Sequence, residues 1–293
     1  MPGAGAPGTA NNPARGDALT FLQIVALAVV QGLTEFLPVS SHAHLILTRQ
    51  ILGLPQGGSI TFDIAVHVGT LGAVVVYYWR DVLFMARGML RLVAGRGGPG
   101  ARMFGLIVVA TVPVVIGGYL LTKFAGERFN TIPVIAWMTV IFGVLLFAAD
   151  RMCMTLRRIE HMNVAQALVI GLAQVVALVP GVSRSGITMT AARVLGFERT
   201  DAVRFSLLMS VPAIVGAAVL DGLDMYKNGV TDIPPGIGLA VFLSFAAALI
   251  AIPLMVAWLR RATFTPFVVY RLFLGAVLFY ALYGGSAPAG GAG

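Results

Sequence analysis

The chain has 293 residues, of which 58% are hydrophobic and only 11% charged, with a mean hydropathy of +0.90, whereas a soluble domain carries about 25% charged residues. Too few charged side chains exist to cover a water-facing surface, and apolar stretches long enough for a hydrocarbon core of about 30 Å recur throughout, so a soluble globular protein is excluded and a polytopic helical membrane protein is expected. The formal charge of +8 does not point to nucleic acid, because the basic residues are scattered among short loops where the positive-inside bias puts them anyway.

Residues 1–18 are rich in Gly, Ala, Pro and Asn, with only Arg15 and Asp17 charged. They lack the basic start of a signal peptide and read as a disordered tail, as do residues 285–293. Between the tails a single membrane domain is expected over 19–284, with hydrophobic segments at roughly 19–37, 61–79, 103–122, 131–149, 164–179, 203–220, 236–258 and 267–284. The first and fifth are followed by moderately polar stretches of related composition, Pro38-Val-Ser-Ser-His-Ala-His-Leu45 and Pro180-Gly-Val-Ser-Arg-Ser-Gly-Ile-Thr188. Just upstream, Gly32-Leu-Thr-Glu35 parallels Gly171-Leu-Ala-Gln174, an offset of about 139 residues (171 minus 32). The chain therefore reads as two divergent repeats, 19–149 and 164–284, and interrupted segments at matching places in two halves point to a site near the membrane midplane. A lone cysteine, Cys153, rules out an intrachain disulfide, and there is no Cys/His cluster for zinc.

Loop charges distinguish two topologies. Eight full crossings would split the loop cations ten to eight, which orients nothing. If residues 19–54 and 164–196 are re-entrant helical hairpins, six spans remain, and thirteen arginines gather on one side against five basic residues on the other. The positive-inside rule then places the thirteen in the cytoplasm and both termini outside. The hairpins would enter from opposite faces, as in inverted-topology repeats.

Glu35 is the only carboxylate in the first interrupted segment, and an ionisable group at the middle of a membrane costs about 2.5–3.5 kcal/mol, so it needs a reason to be there. Gln31, four residues earlier, shares its helical face and adds an amide oxygen, a pair suited to a hard divalent cation or to orienting a nucleophile. Ser41 is a hydroxyl nucleophile that either Glu35 or His44 can activate. Ser40 reads as the cap of the second helical arm, His42 as a bystander facing the other way, and His67 and His161 as residues without reactive neighbours. In the second stretch Arg184 stands among Ser183, Ser185 and Thr188 at the expected start of a helix. Free N–H groups, the helix dipole, hydroxyls and a guanidinium fork together suit a phosphate. The alternative is an arginine paired with Glu35 above a capped helix. The pattern is not a Walker loop, since no GK[ST] follows the glycines.

Gln31-Gly-Leu-Thr-Glu35-Phe-Leu-Pro-Val-Ser-Ser41 with His44, together with Pro180 to Thr188, resembles the two signature motifs of the undecaprenyl-diphosphate phosphatases, the bacterial bacitracin-resistance family. The likeness runs from about residue 19 to 284 and includes Phe62-Asp63, Trp79-Arg80 and Tyr270-Arg271. It implies a multi-pass enzyme of the bacterial inner membrane that removes the terminal phosphate of the polyprenyl diphosphate carrier, regenerating the monophosphate for peptidoglycan synthesis. By matching position, Glu35, Ser41, His44 and Arg184 are the expected catalytic residues, Ser183, Arg184, Ser185 and Thr188 the expected phosphate site, and Gln31 and Glu35 the expected ligands of a divalent cation, Mg²⁺ or Ca²⁺. Many family members carry Glu where this chain has Gln31.

The expected mechanism is in-line attack by Ser41 on the terminal phosphorus, with His44 as acid or base; direct attack by water fits the residues equally. A lipid flippase or transporter is the rival, because opposed hairpins in an inverted repeat are also transporter architecture. The partners expected are the lipid diphosphate and the bilayer, with homodimer formation left open.

Overall fold

The computed structural model describes residues 19–55, 60–124, 129, 131–155, 157–227, 229 and 234–283. Both tails read as disordered lie outside them. The described residues are all-helical: α1 (Phe21–Thr34), α2 (Ser41–Ile51), α3 (Ile60–Tyr77), α4 (Trp79–Val93), α5 (Pro99–Phe124), α6 (Ile132–Met152), α7 (Val164–Val176), α8 (Arg184–Val194), α9 (Arg199–Lys227), α10 (Ile237–Leu259) and α11 (Thr265–Tyr283), with a short 3-10 turn at Ile159–His161. Six of them, α3, α5, α6, α9, α10 and α11, are long and apolar enough to cross a membrane.

The first and fifth hydrophobic segments fold differently from the others. α1 has 14 residues and α7 has 13, about 20 Å each at 1.5 Å per residue, short of a hydrocarbon core of about 30 Å. Each packs beside the 11-residue helix that follows it, α2 or α8. The two pairs are built alike. Capping boxes open α1 (Thr20 with Gln23) and α7 (Asn163 with Gln166), each satisfying two backbone donors at the helix start. Serines in left-handed backbone, Ser40 (φ 70°) and Ser183 (φ 71°), start α2 and α8, and left-handed Gly53 and Gly196 follow their ends. All three correspondences share one spacing, 143 residues (163 minus 20, 183 minus 40, 196 minus 53). At this spacing Gln31 falls opposite Gln174 and Glu35 opposite Leu178, whereas the offset of 139 was read from Gly32 and Gly171.

Most of α4 falls between the second and third hydrophobic segments, in the arginine-rich stretch 80–102. Trp79, Leu83, Phe84, Leu90 and Val93 are exposed on it beside Arg80, Arg87 and Arg91, the composition of a helix lying in the membrane interface. Its charge density hid it from a search for apolar runs.

α10 forms the spine against which α1 and α3 rest. Gly32 and Gly69 make this seat: a Cβ on Gly32 would stand 2.6 Å from that of Ala247, and one on Gly69 would overlap the Ser244 hydroxyl. Polar contacts tie the helix ends together at the two ends of the bundle. At one end Arg204 pairs with Asp81, Asp150 receives Arg193 (3.1 Å) and Arg199 (2.7 Å), and Arg102 donates to the carbonyls of Glu160 and Met162. Arg49 pairs with Asp63 at the other. Between α8 and the first end lies a closed apolar cluster including Ile170, Phe197, Phe205, Leu208 and Met209.

Candidate functional site

The α1–α2 and α7–α8 turns meet at one cavity of about 330 Å³, lined by Glu35, Ser40, Ser41, His42, His67, Gly181, Ser183 and Arg184 among others. Glu35 is its hub. Arg184 Nη2 donates to Oε1 (2.8 Å), while Ser41 Oγ (2.8 Å) and Gln31 Nε2 (2.9 Å) donate to Oε2. The sequence placed 149 positions between Glu35 and Arg184; the fold pairs them, realising the alternative reading of Arg184. The pairing uses one nitrogen of the fork, so Nε and Nη1 remain for a further acceptor. Ser41 is held by Glu35 and not by His44.

His44 lies outside the cavity lining. Its Nδ1 is 2.8 Å from the Ser40 carbonyl and its Nε2 is 2.7 Å from the Tyr270 hydroxyl, with the two rings stacked 5.4 Å apart. A carbonyl only accepts, so Nδ1 carries the proton and Nε2 accepts from Tyr270. Both nitrogens are thereby occupied, and His44 braces the turn. The imidazole beside Glu35 is that of His67, whose Nε2 is 3.7 Å from Glu35 Oε2 while Nδ1 binds the Asp63 carbonyl at 2.7 Å. His42 also lines the cavity, against the expectation that it faces away.

The second motif divides. Ser183 Oγ accepts from the Gly186 N–H (3.2 Å) and so caps α8, whereas Ser40, the expected cap of α2, makes no side-chain cap bond. Ser185 gives its hydroxyl to the Leu37 carbonyl (3.0 Å), stitching the two turns together. Thr188 sits one turn deeper, bonded to the Ser206 hydroxyl (2.6 Å) and the Arg184 carbonyl (2.9 Å). Neither Ser185 nor Thr188 lines the cavity.

Two buried amides stand apart. Gln31 Oε1 and both amide atoms of Gln174 have no hydrogen-bond partner, and they are the only such buried side-chain atoms among the described residues. Among those residues no three His, Cys, Asp or Glu side chains form a metal cluster.

Arg271 was noted in the sequence only as half of a Tyr-Arg pair. It is completely buried, and its guanidinium donates to the carbonyls of Thr139, Val182, Gly181, Met138 and Pro38. A lone arginine in an otherwise apolar segment was the signal that could have singled it out.

Fold and site define a multi-pass α-helical membrane protein with a carboxylate, a hydroxyl and a guanidinium gathered at one cavity where two short helix pairs meet. The chain belongs to the family described as bacitracin resistance protein BacA, whose model matches residues 24–277. It is 48% identical over 271 residues to Undecaprenyl-diphosphatase 1 of Rhodospirillum rubrum, covering 90% of this chain and 96% of the relative. It is 44% identical to Undecaprenyl-diphosphatase of Ruegeria pomeroyi, covering 90% of this chain and all of the relative, and 43% identical to the protein of that name in Teredinibacter turnerae with the same coverage.

Proposed function

We propose that this protein hydrolyses undecaprenyl diphosphate to the monophosphate and inorganic phosphate, recycling the lipid carrier for peptidoglycan synthesis and conferring bacitracin resistance. The observation that carries this reading is the Ser41–Glu35–Arg184 chain, with both links at 2.8 Å, at the mouth of α8. Ser41 Oγ loses its proton to Glu35 and attacks the terminal phosphorus. The Oγ–P bond forms as the bond from phosphorus to the bridging oxygen breaks, and that oxygen leaves with the lipid monophosphate. Water then cleaves the phosphoserine, releasing phosphate and returning the hydroxyl. Arg184, through its remaining nitrogens, and the start of α8 bind the oxygens that gain charge. Of the imidazoles, His67 stands beside Glu35 along the proton's path, and His44 holds the Ser40–Ser41 turn.

The residues fit a hard divalent cation as a partial set. The Glu35 carboxylate and the unpartnered, buried Gln31 Oε1 are oxygen donors of the type Mg²⁺ and Ca²⁺ prefer, and Mg²⁺ is commonly held by one or two carboxylates plus substrate phosphates. Such an ion, when bound, neutralises charge on the diphosphate.

In the membrane we assign α1–α2 and α7–α8 as re-entrant hairpins entering from opposite faces of an inverted repeat. The end rich in Arg80, Arg87, Arg91, Arg158 and Arg199 faces the cytoplasm, and the site opens to the extracytoplasmic side of the inner membrane. The lengths of α1 and α7 and the thirteen-to-five division of loop cations support this. The test is phosphate release from undecaprenyl diphosphate by detergent-purified protein, with and without chelator. Transport is undefined without a bilayer, so an inactive but folded preparation would favour a flippase.

A further inference from the structure

Among the described residues two arginines, Arg193 and Arg271, are no more than 1% exposed, and they are satisfied differently. Arg193 (1% exposed) pairs with the Asp150 carboxylate. Arg271 (0% exposed) has no carboxylate within ion-pair distance among the described residues; all its acceptors are backbone carbonyls, at 2.9–3.4 Å. Burying an unpaired guanidinium is costly, and hydrophobic packing alone gives no reason for it. Its acceptors supply one. Pro38 belongs to the first turn, Gly181 and Val182 to the second, and Met138 and Thr139 to α6 behind them.

Every peptide bond among the described residues is trans, so C=O and N–H point in opposite directions across each peptide plane. With the Val182 carbonyl drawn onto Arg271, the Ser183 N–H is turned to the side away from it, at a residue that lines the cavity. Gly181 (φ 94°) and Ser183 (φ 71°) both hold left-handed backbone, and successive N–H groups in such turns form anion-binding concavities. At the start of α8, Ser183 takes the N–H of Gly186 with its hydroxyl and that of Ile187 with its carbonyl. The N–H groups of Ser183, Arg184 and Ser185 are left without an intrahelical partner. On the first turn, the Pro38 carbonyl is tied to the same guanidinium, two residues before left-handed Ser40 and three before Ser41.

We propose that Arg271 is a positioning residue for the reaction: by gathering carbonyls from both turns it sets the N–H groups of residues 183–185 and the Ser41 hydroxyl at the spacing that receives a diphosphate. It touches no reacting atom. A lysine at this position keeps the charge but presents three donors from one point, which cannot span carbonyls from three segments. The inference rests on the diphosphatase reading, and two measurements separate their failures.

Arg271→Lys, Gly143→Ala and, as a control distant from the cavity, Arg193→Lys are purified in detergent beside the parent. Turnover of undecaprenyl diphosphate is measured as kcat and KM, and binding of inorganic phosphate as a rise in Tm. Arg271→Lys should lower kcat about 100-fold and raise KM, because contacts made in both ground and transition states weaken, and should abolish the phosphate-induced rise. Arg193→Lys should lower Tm while the folded fraction keeps the parent kcat. If Arg271→Lys does not fold, Gly143→Ala decides: its new methyl would stand 3.2 Å from Arg271 Cβ and 3.5 Å from Nε, shifting the guanidinium without removing it, and should lower kcat about tenfold. Parent kcat and parent phosphate response in the folded variants overturn the proposal. An inactive parent whose phosphate response is lost in the variants overturns the diphosphatase reading and leaves the positioning role standing.

Discussion

Replacing Glu35 by glutamine separates chemistry from stability, because the structure assigns the two effects different sizes. The side chain keeps its shape, but one oxygen becomes an N–H₂ donor. Facing Arg184, that donor meets another donor; facing the other way, it meets the Ser41 hydroxyl and the Gln31 amide. At least one charge-assisted bond is lost, worth about 1.5–3 kcal/mol. Arg184 also loses its ion-pair partner, but its side chain is 20% exposed at the cavity, so the uncompensated charge is partly solvated and the variant should fold with a Tm a few degrees below the parent's. The effect on activity is larger. The only carboxylate bonded to Ser41 is gone, and a general base contributes about 10²- to 10⁴-fold, so kcat should fall by at least about 100-fold at every pH tested. Phosphate release from undecaprenyl diphosphate in detergent, normalised to folded protein by thermal melt, measures both. A Glu35→Gln protein within tenfold of parent turnover would refute the role of Glu35 as the base.

Arg184→Lys should insert and fold but lose about 100-fold or more in rate, since an ammonium cannot bridge Glu35 and a phosphate as a planar fork does; near-normal turnover in both Arg184→Lys and Arg184→Ala would remove the phosphate-clamp role. Gln31→Glu should remain active and respond to lower Mg²⁺, because it adds a carboxylate beside Glu35. An Mg²⁺ titration that superimposes on the parent's would take Gln31 out of the metal site. For topology, single cysteines at Asn12, Arg91, Arg158 and Asp224 in a Cys153→Ser background should react with a membrane-impermeant thiol reagent on intact cells at Asn12 and Asp224 only. Uniform labelling or uniform protection of the four would reject the re-entrant hairpins.

Composition and apolar periodicity located the six long helices because a membrane span is a local property, readable from about 20 consecutive residues. α4 escaped the same test because arginines recur among its apolar residues. The site was legible only as far as its partners are close in sequence. Gln31, Glu35 and Ser41 fall within eleven residues and meet as expected. Which imidazole joins them depends on α3, and nothing local to His67 reveals that Glu35 will stand 3.7 Å away. His44, close to Ser41 in sequence and matched by the family motif, bonds Tyr270, 226 positions later, a contact that no local pattern shows. The offset of 139 was read from glycines, which recur in helices for independent reasons: Gly32 seats on α10 and Gly171 on Ala110 of α5. The capping boxes and positive-φ serines, set by backbone geometry, share a spacing of 143 instead.

The apolar cluster beneath α8, closed off by Arg193, Asp150 and Arg199, bears on the energetics of the whole cell. A polar hollow reaching deep into a membrane thins the insulation there, and a bacterium that stores energy as a proton gradient tolerates no leak. In the membrane placement proposed above, this cluster separates the cavity from the cytoplasmic end. The transmembrane voltage would then fall across the cluster rather than across the cavity, and turnover should be insensitive to collapse of the membrane potential.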